Sequence, residues 1–200
     1  MSMDNRNVEF KHCPVCGGFL NSSVVKEGEG PRLVCTRCGY IFYLDPKVVA
    51  CTLVEIDGGI LLLKRAIEPR KGKWVVPGGF VDRGETVEAA AIRETREECC
   101  IDVHINRLAG VYSYPGETTV IVFYEASPVT ENFEAGDETS EAQIFLPEDI
   151  PWEDLAFTST RQALEEHIER RKRRKPWEGS GEAFPADDAA AKPEQETSCR

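Results

Sequence analysis

No apolar run in this 200-residue chain is long enough to cross a bilayer. Stretches such as Val48 to Val54 and Ile60 to Leu63 fall far below the roughly 18 residues that a spanning helix needs, which excludes a helical membrane protein. The opening Met1-Ser2-Met3-Asp4-Asn5-Arg6-Asn7 is polar and lacks the apolar stretch of a secretory signal, so the expected compartment is a reducing cytoplasm. Histidine is scarce: His12, His104 and His167 are the only three, and none falls in a recognisable nucleophile–base arrangement. Ser/His and Cys/His catalysis are therefore not expected. Positive charge is in deficit, with 24 Lys and Arg against 35 Asp and Glu and a net charge of −11. That sign opposes nonspecific binding to nucleic acid or to an anionic membrane. An anionic substrate stays compatible if divalent cations screen the carboxylates. There is no internal repeat.

What is present reads as a globular protein with one principal core and a small appendage. Residues 1–10 form a polar leader, and 11–45 a Cys/Gly segment too short to hold a core of its own. Residues 46–170 carry nearly all the periodic apolar pattern, and 171–200 are expected to be a disordered tail. Within the main domain, Val48 to Glu55 predicts a buried strand, Asp57-Gly58-Gly59 a turn, and Ile60 to Lys64 its hairpin partner. Thr86 to Cys99 predicts a helix with Thr86 as N-cap. Val103 to Tyr112 and Thr119 to Ala126 predict further strands, and 159–174 a closing helix. This order gives an α+β fold, a mixed sheet packed between helices, and not a doubly wound parallel sheet.

Cys13-Pro14-Val15-Cys16 and Cys35-Thr36-Arg37-Cys38 are two C-x2-C pairs with eighteen residues between them, the spacing of a four-cysteine zinc site. Gly17, Gly18 and Gly39 follow the pairs where the chain must turn tightly to aim both thiolates at one ion. Two disulfides or four plain thiols are the alternative, disfavoured in a reducing compartment. With four sulfur ligands the zinc would have no open position, so its role is structural. Cys51, Cys99 and Cys100 read as small apolar residues, and Cys199 as part of the tail.

The chemistry is carried by Glu94, Glu97 and Glu98, which at i, i+3 and i+4 share one helix face. Clustered oxygen ligands favour Mg²⁺ or Mn²⁺, ions that keep positions for water and substrate phosphates. Gly78 and Gly79 would leave bare backbone beside that face, and Glu85 could pair with Arg93 across the intervening loop. A solvated acidic helix face is the alternative for any Glu-x-x-Glu-Glu. The whole segment Gly79 to Ile101 resembles the Nudix box, G-x5-E-x7-R-E-U-x-E-E-x-G-U, at every charged position. It departs from it at Thr95, where the family has an aliphatic residue, and at Cys100, where it has glycine.

The resemblance implies a Nudix α/β/α sandwich preceded by a zinc ribbon. It also implies cleavage of a nucleoside diphosphate linked to another moiety, with Mg²⁺ or Mn²⁺ held by Glu94, Glu97, Glu98 and Gly79, and with Glu85 and Arg93 in support. A further carboxylate is expected after the box. Glu138 and Glu141 are the candidates, and Glu141 is favoured because it directly precedes an apolar run. The ribbon, together with Tyr43 to Val49, Lys64 to Pro69 and Gly72-Lys73-Trp74, is similar to the zinc-ribbon Nudix subgroup. This implies a small-molecule nucleotide substrate of the FAD or ADP-ribose type, with NADH as the alternative. Arg65, Tyr112 and Tyr114 are the substrate-binding candidates, with Arg70 and Phe157 as further possibilities for phosphate and adenine. Relatives are often dimers, so a homodimer is open. The rival is a non-catalytic nucleotide- or nucleic-acid-binding regulator that uses the ribbon and the basic run Arg170 to Lys175.

Overall fold

The computed structural model describes residues 10–130 and 132–173. The chain divides into two compact units, one of residues up to Lys47 with Tyr114–Thr119, the other of Val48–Ser113 and the chain from Val120. The expected leader and most of the expected tail, with Cys199, lie outside the described residues.

In the first unit β1 (Leu20–Ser23), β2 (Arg32–Cys35) and β3 (Ile41–Phe42) form an antiparallel sheet in that order. Strands this short bury little apolar surface. Its core is accordingly the cysteines themselves: Cys13, Leu20 and Cys35 are buried, with Cys16, Leu33 and Phe42 packed on them.

The second unit is built on a seven-stranded mixed sheet. Its strands are β4 (Lys47–Ile56), β5 (Gly59–Arg65), β6 (Trp74–Val75), β7 (Gly78–Phe80), β8 (Val103–Tyr112), β9 (Thr119–Pro128) and β10 (Thr139–Phe145). The main order is β10-β5-β4-β9-β8, with β6 paired to β5 and β7 to β4. The β4–β5 hairpin closes on Asp57 and Gly58, both at positive φ, as a two-residue turn with the sheet's twist requires. Gly59, expected in the turn, is the first residue of β5.

Side-chain alternation assigns the two faces. Ala50, Thr52 and Val54 of β4 meet α1 (Val87–Cys99) through Ala90 and Ala91, Thr95 and Cys99. On the opposite face Glu125 is buried, ion-paired to Arg107 and to Arg170, with His167 Nδ1 3.0 Å away. His167 and Arg170 belong to α2 (Thr158–Arg173), so the sheet lies between two helices. Residues 171–173 belong to this helix, inside the 159–174 predicted for it although the tail was expected from 171: Arg171 pairs with Glu55 and donates to the Gly58 carbonyl. No helix among the described residues is long and apolar enough to cross a membrane.

α1 begins as expected, with Thr86 Oγ1 accepting from the Ala89 N–H at 3.1 Å. It ends on Cys100 at φ 55°, whose N–H reaches the Arg96 carbonyl. That left-handed exit costs a residue with a Cβ and suits glycine, a physical reason for the glycine in the motif.

Candidate active site

Glu94, Glu97 and Glu98 emerge from one side of α1 toward β7, and their surroundings differ. Glu98 is the most enclosed. Burial pushes its carboxyl up to about 7, against the Gly78 N–H that donates to Oε2 at 2.8 Å. Burial also raises Glu94, opposed by Arg93. Glu97 is more than half exposed. The close approach of β7 to β4 depends on Gly78, where a Cβ would stand 2.6 Å from the Ala50 carbonyl oxygen and 2.7 Å from the Cys51 Cα, and at Gly79 a Cβ would stand 2.4 Å from the Glu94 carboxylate.

Arg93 organises the group. Its Nε and one terminal nitrogen meet the two oxygens of Glu85 at 2.9 and 3.0 Å, a bidentate pair. The other terminal nitrogen donates to Glu94 at 2.8 Å and Glu97 at 3.1 Å, and the fork also reaches the Phe80 carbonyl at 3.1 Å. Hydrogen bonds from Arg93 hold Glu85 below the usual carboxylate range, and Glu85 in turn raises Arg93. Loop, strand and helix are thus tied by one cation, which also offsets repulsion between Glu94 and Glu97.

These residues suit a hard divalent cation. The donors are carboxylates on one helix face, a Cβ would fill the cradle at Gly79, and the enclosed Glu98 carboxyl has one backbone N–H for a partner.

The loop after β9 corrects one expectation. Glu141 stands opposite Lys64 and pairs with it at 2.8 Å, whereas Ala142 and Ile144 pack on the core beneath α1. Alternation therefore puts Glu141 on the sheet face away from the carboxylates. The register shifts between Thr139 and Glu141, so this bulge turns Thr139, two residues earlier, to the α1 side. Glu138 is the carboxylate beside the site, close enough that its charge raises both Glu94 and Glu98.

Arg65 also lies here, lowering Glu98 by its charge, with its guanidinium 5.5 Å from the Phe157 ring and Nε donating to the Pro69 carbonyl. Tyr112 is a correction. It is buried on the α2 face, donates to Glu166 at 2.9 Å and meets Phe123 edge-on, so it is a core side chain. Tyr114 falls in the first unit. The backbone N–H of Gly78 was not foreseeable, because a main-chain donor leaves no mark in residue type.

In the first unit, Cys13, Cys16, Cys35 and Cys38 bring their sulfurs within 4.8 Å of one another, the one such convergent group of metal-ligating side chains among the described residues. Three of the Sγ separations, 3.4, 3.5 and 3.8 Å, lie at or somewhat below the roughly 3.8 Å edge of a tetrahedral zinc–thiolate site. The Cys38 N–H, 3.5 Å from Cys35 Sγ, leads the influences that pull that thiol down to about 6. The basic run offers less to a nucleic acid than its composition suggests. Arg170 and Arg171 pair with Glu125 and Glu55, and Lys172 and Arg173 with Glu169.

Comparison with known proteins agrees with this geometry. Residues 44–167 match the family model described as NUDIX domain, and residues 11–44 the zinc-ribbon model described as Nudix N-terminal. An ADP-ribose pyrophosphatase from Methanocaldococcus jannaschii is 41% identical over 123 residues, 59% of this chain and 71% of that protein. The NAD-capped RNA hydrolase NudC of Vibrio parahaemolyticus is 27% identical over 168 residues, 80% of this chain and 60% of that one. A crystal structure of a NUDIX hydrolase from Nitrosomonas europaea superposes with a TM-score of 0.79 at 36% identity, covering 84% of this chain and 95% of that one.

Proposed function

The chain belongs to the NUDIX domain family and is a Nudix hydrolase, and we propose that it splits the diphosphate of ADP-ribose, giving AMP and ribose 5-phosphate. The observation that carries this reading is the face of Glu94, Glu97 and enclosed Glu98, tied by Arg93 to Glu85 and open at Gly79. The 41% identity to an ADP-ribose pyrophosphatase supports the substrate. NAD-type dinucleotides are the second reading, favoured by similarity to NudC over 80% of this chain.

Glu94, Glu97 and Glu98, with the Gly79 backbone, would hold Mg²⁺ or Mn²⁺. Ions bound there would lower the pKa of a water and neutralise the diphosphate. Gly78 orients Glu98 through its N–H, and one Arg93 nitrogen bridges Glu94 and Glu97. Arg65 offers a guanidinium to a phosphate oxygen. The exposed Glu138 carboxylate accepts the proton of the attacking water. Four convergent thiols suit structural Zn²⁺.

The test is incubation with ADP-ribose, NADH, FAD and NAD-capped RNA, with and without Mg²⁺ or Mn²⁺, and mass identification of products. AMP and ribose 5-phosphate from ADP-ribose, only with metal, is the expected result. Binding of the nucleotides without turnover of any would establish the non-catalytic regulator instead.

Metal binding should depend on pH. Glu98 has its folded pKa near 7, above the ordinary 4.5. Its contribution to the stability of the metal-free protein is therefore complete below about 4.5 and is lost as pH rises through 7. A cation must displace that proton at low pH but meets a ready carboxylate above it. Mg²⁺ is expected to raise the melting temperature more at pH 8 than at pH 6, and calorimetry at pH 6 to show proton release. Chelating the zinc should collapse β1 to β3 while leaving the second unit's circular dichroism in place. Loss of both together would contradict the division into two units.

A further inference from the structure

The last carbonyls of any α-helix lack partners within the helix, and in α1 two of them are taken by the chain that follows β9. The Gly136 N–H donates to the Glu98 carbonyl at 2.8 Å, and the Glu134 N–H to the Cys99 carbonyl at 3.1 Å. The buried Thr139 hydroxyl lies 3.1 Å from the same Glu98 carbonyl and 3.2 Å from that of Gly136. A turn is closed at the same time, the Thr139 N–H donating to the Gly136 carbonyl at 3.1 Å, with Asp137 and Glu138 at its centre. On the other side the Ala66 N–H binds the Glu138 carbonyl at 2.8 Å. Gly136 is required by contact: a Cβ there would stand 2.5 Å from the Glu97 carbonyl oxygen and 2.9 Å from that of Glu98. These are backbone atoms of a helix and cannot give way.

We propose that Gly136 and Thr139 are positioning residues: they clamp the turn 136–139 onto the end of the carboxylate helix and so hold Glu138 at the site. This rests on the role given to Glu138 above. The clamp attaches to the carbonyl of Glu98, whose carboxylate belongs to the site. Glu138 is thereby carried on the residue it must face. Gly136 and Thr139 touch neither substrate nor metal.

The test compares Thr139→Val, which keeps the shape and loses the hydroxyl, with Thr139→Ser, which keeps the hydroxyl, for turnover of each dinucleotide in the panel. Thr139→Val should lower kcat about tenfold or more with KM within about twofold and with the Mg²⁺-induced rise in melting temperature unchanged. Thr139→Ser should restore most of the rate. In a Glu138→Gln background, Thr139→Val should cost nothing further, because there is no longer a carboxylate to misplace. Gly136→Ala should show the same kcat loss and the same dependence on Glu138. A slow Glu138→Gln combined with a fully active Thr139→Val, or with losses that multiply in the double variant, overturns the clamp alone. A wild-type rate for Glu138→Gln overturns the clamp and the reading of Glu138 together.

Discussion

Glu98→Gln is expected to lower kcat/KM by about two orders of magnitude or more while raising the melting temperature of the metal-free protein. The two effects have one cause. The carboxyl is enclosed and its pKa stands near 7, so at neutral pH and above folding must keep a charge where burial disfavours one. Gln has nearly the same shape, can still accept the Gly78 N–H and carries no charge. A side chain serving only the fold would show the opposite pattern, with stability lost and turnover kept. Removing a charged group that a cation needs produces a more stable and inactive protein. Thermal melts without metal at pH 8, paired with turnover in Mg²⁺, check it. A variant less stable than wild type, or one that keeps a near-normal rate, would contradict the assignment of Glu98 as a metal-holding carboxylate.

Arg93→Lys is expected to cost more than its conserved charge suggests. Arg93 uses three nitrogens to hold Glu85, Glu94, Glu97 and the Phe80 carbonyl together. An ammonium is a point charge that cannot form the bidentate pair with Glu85 while also reaching Glu94 and Glu97. Glu85 and Glu94 are partly buried beside it, so water only partly meets their unmet demand. The expected loss is about 2 kcal/mol of stability, measured by denaturant unfolding, and more than about tenfold in turnover. A double-mutant cycle with Glu85→Gln should show strong coupling. Additive losses would mean that the pair across the loop is incidental.

The legible part of the site was that which one continuous helix carries. The spacing of Glu94, Glu97 and Glu98 fixes their common face, because 3.6 residues per turn is a property of the backbone and not of this fold. The partnership of Glu85 with Arg93 was readable for a similar reason, since a short loop ending in the Thr86 cap leaves few places for its carboxylate. Glu141 and Tyr112 were misplaced because each sits on a strand, where one residue of register turns a side chain to the other face. A one-residue bulge between Thr139 and Glu141 decides which acidic residue meets the helix, and no residue type in that stretch announces it. Tyr112 alternates onto the α2 face, where Glu166 takes its hydroxyl.

The sequence by itself determined the cysteine cluster, the carboxylate helix, its cap, the hairpin at Asp57-Gly58 and the family, all set by spacings of no more than 25 residues. Only the tertiary structure decided that Glu138 and Arg65 share a site, that the Gly78 N–H holds Glu98, and that the first arginines of the basic run fasten α2 to the sheet. Those contacts join segments far apart in the chain. They depend on strand order and register, which the packing of two faces selects and which no local pattern encodes.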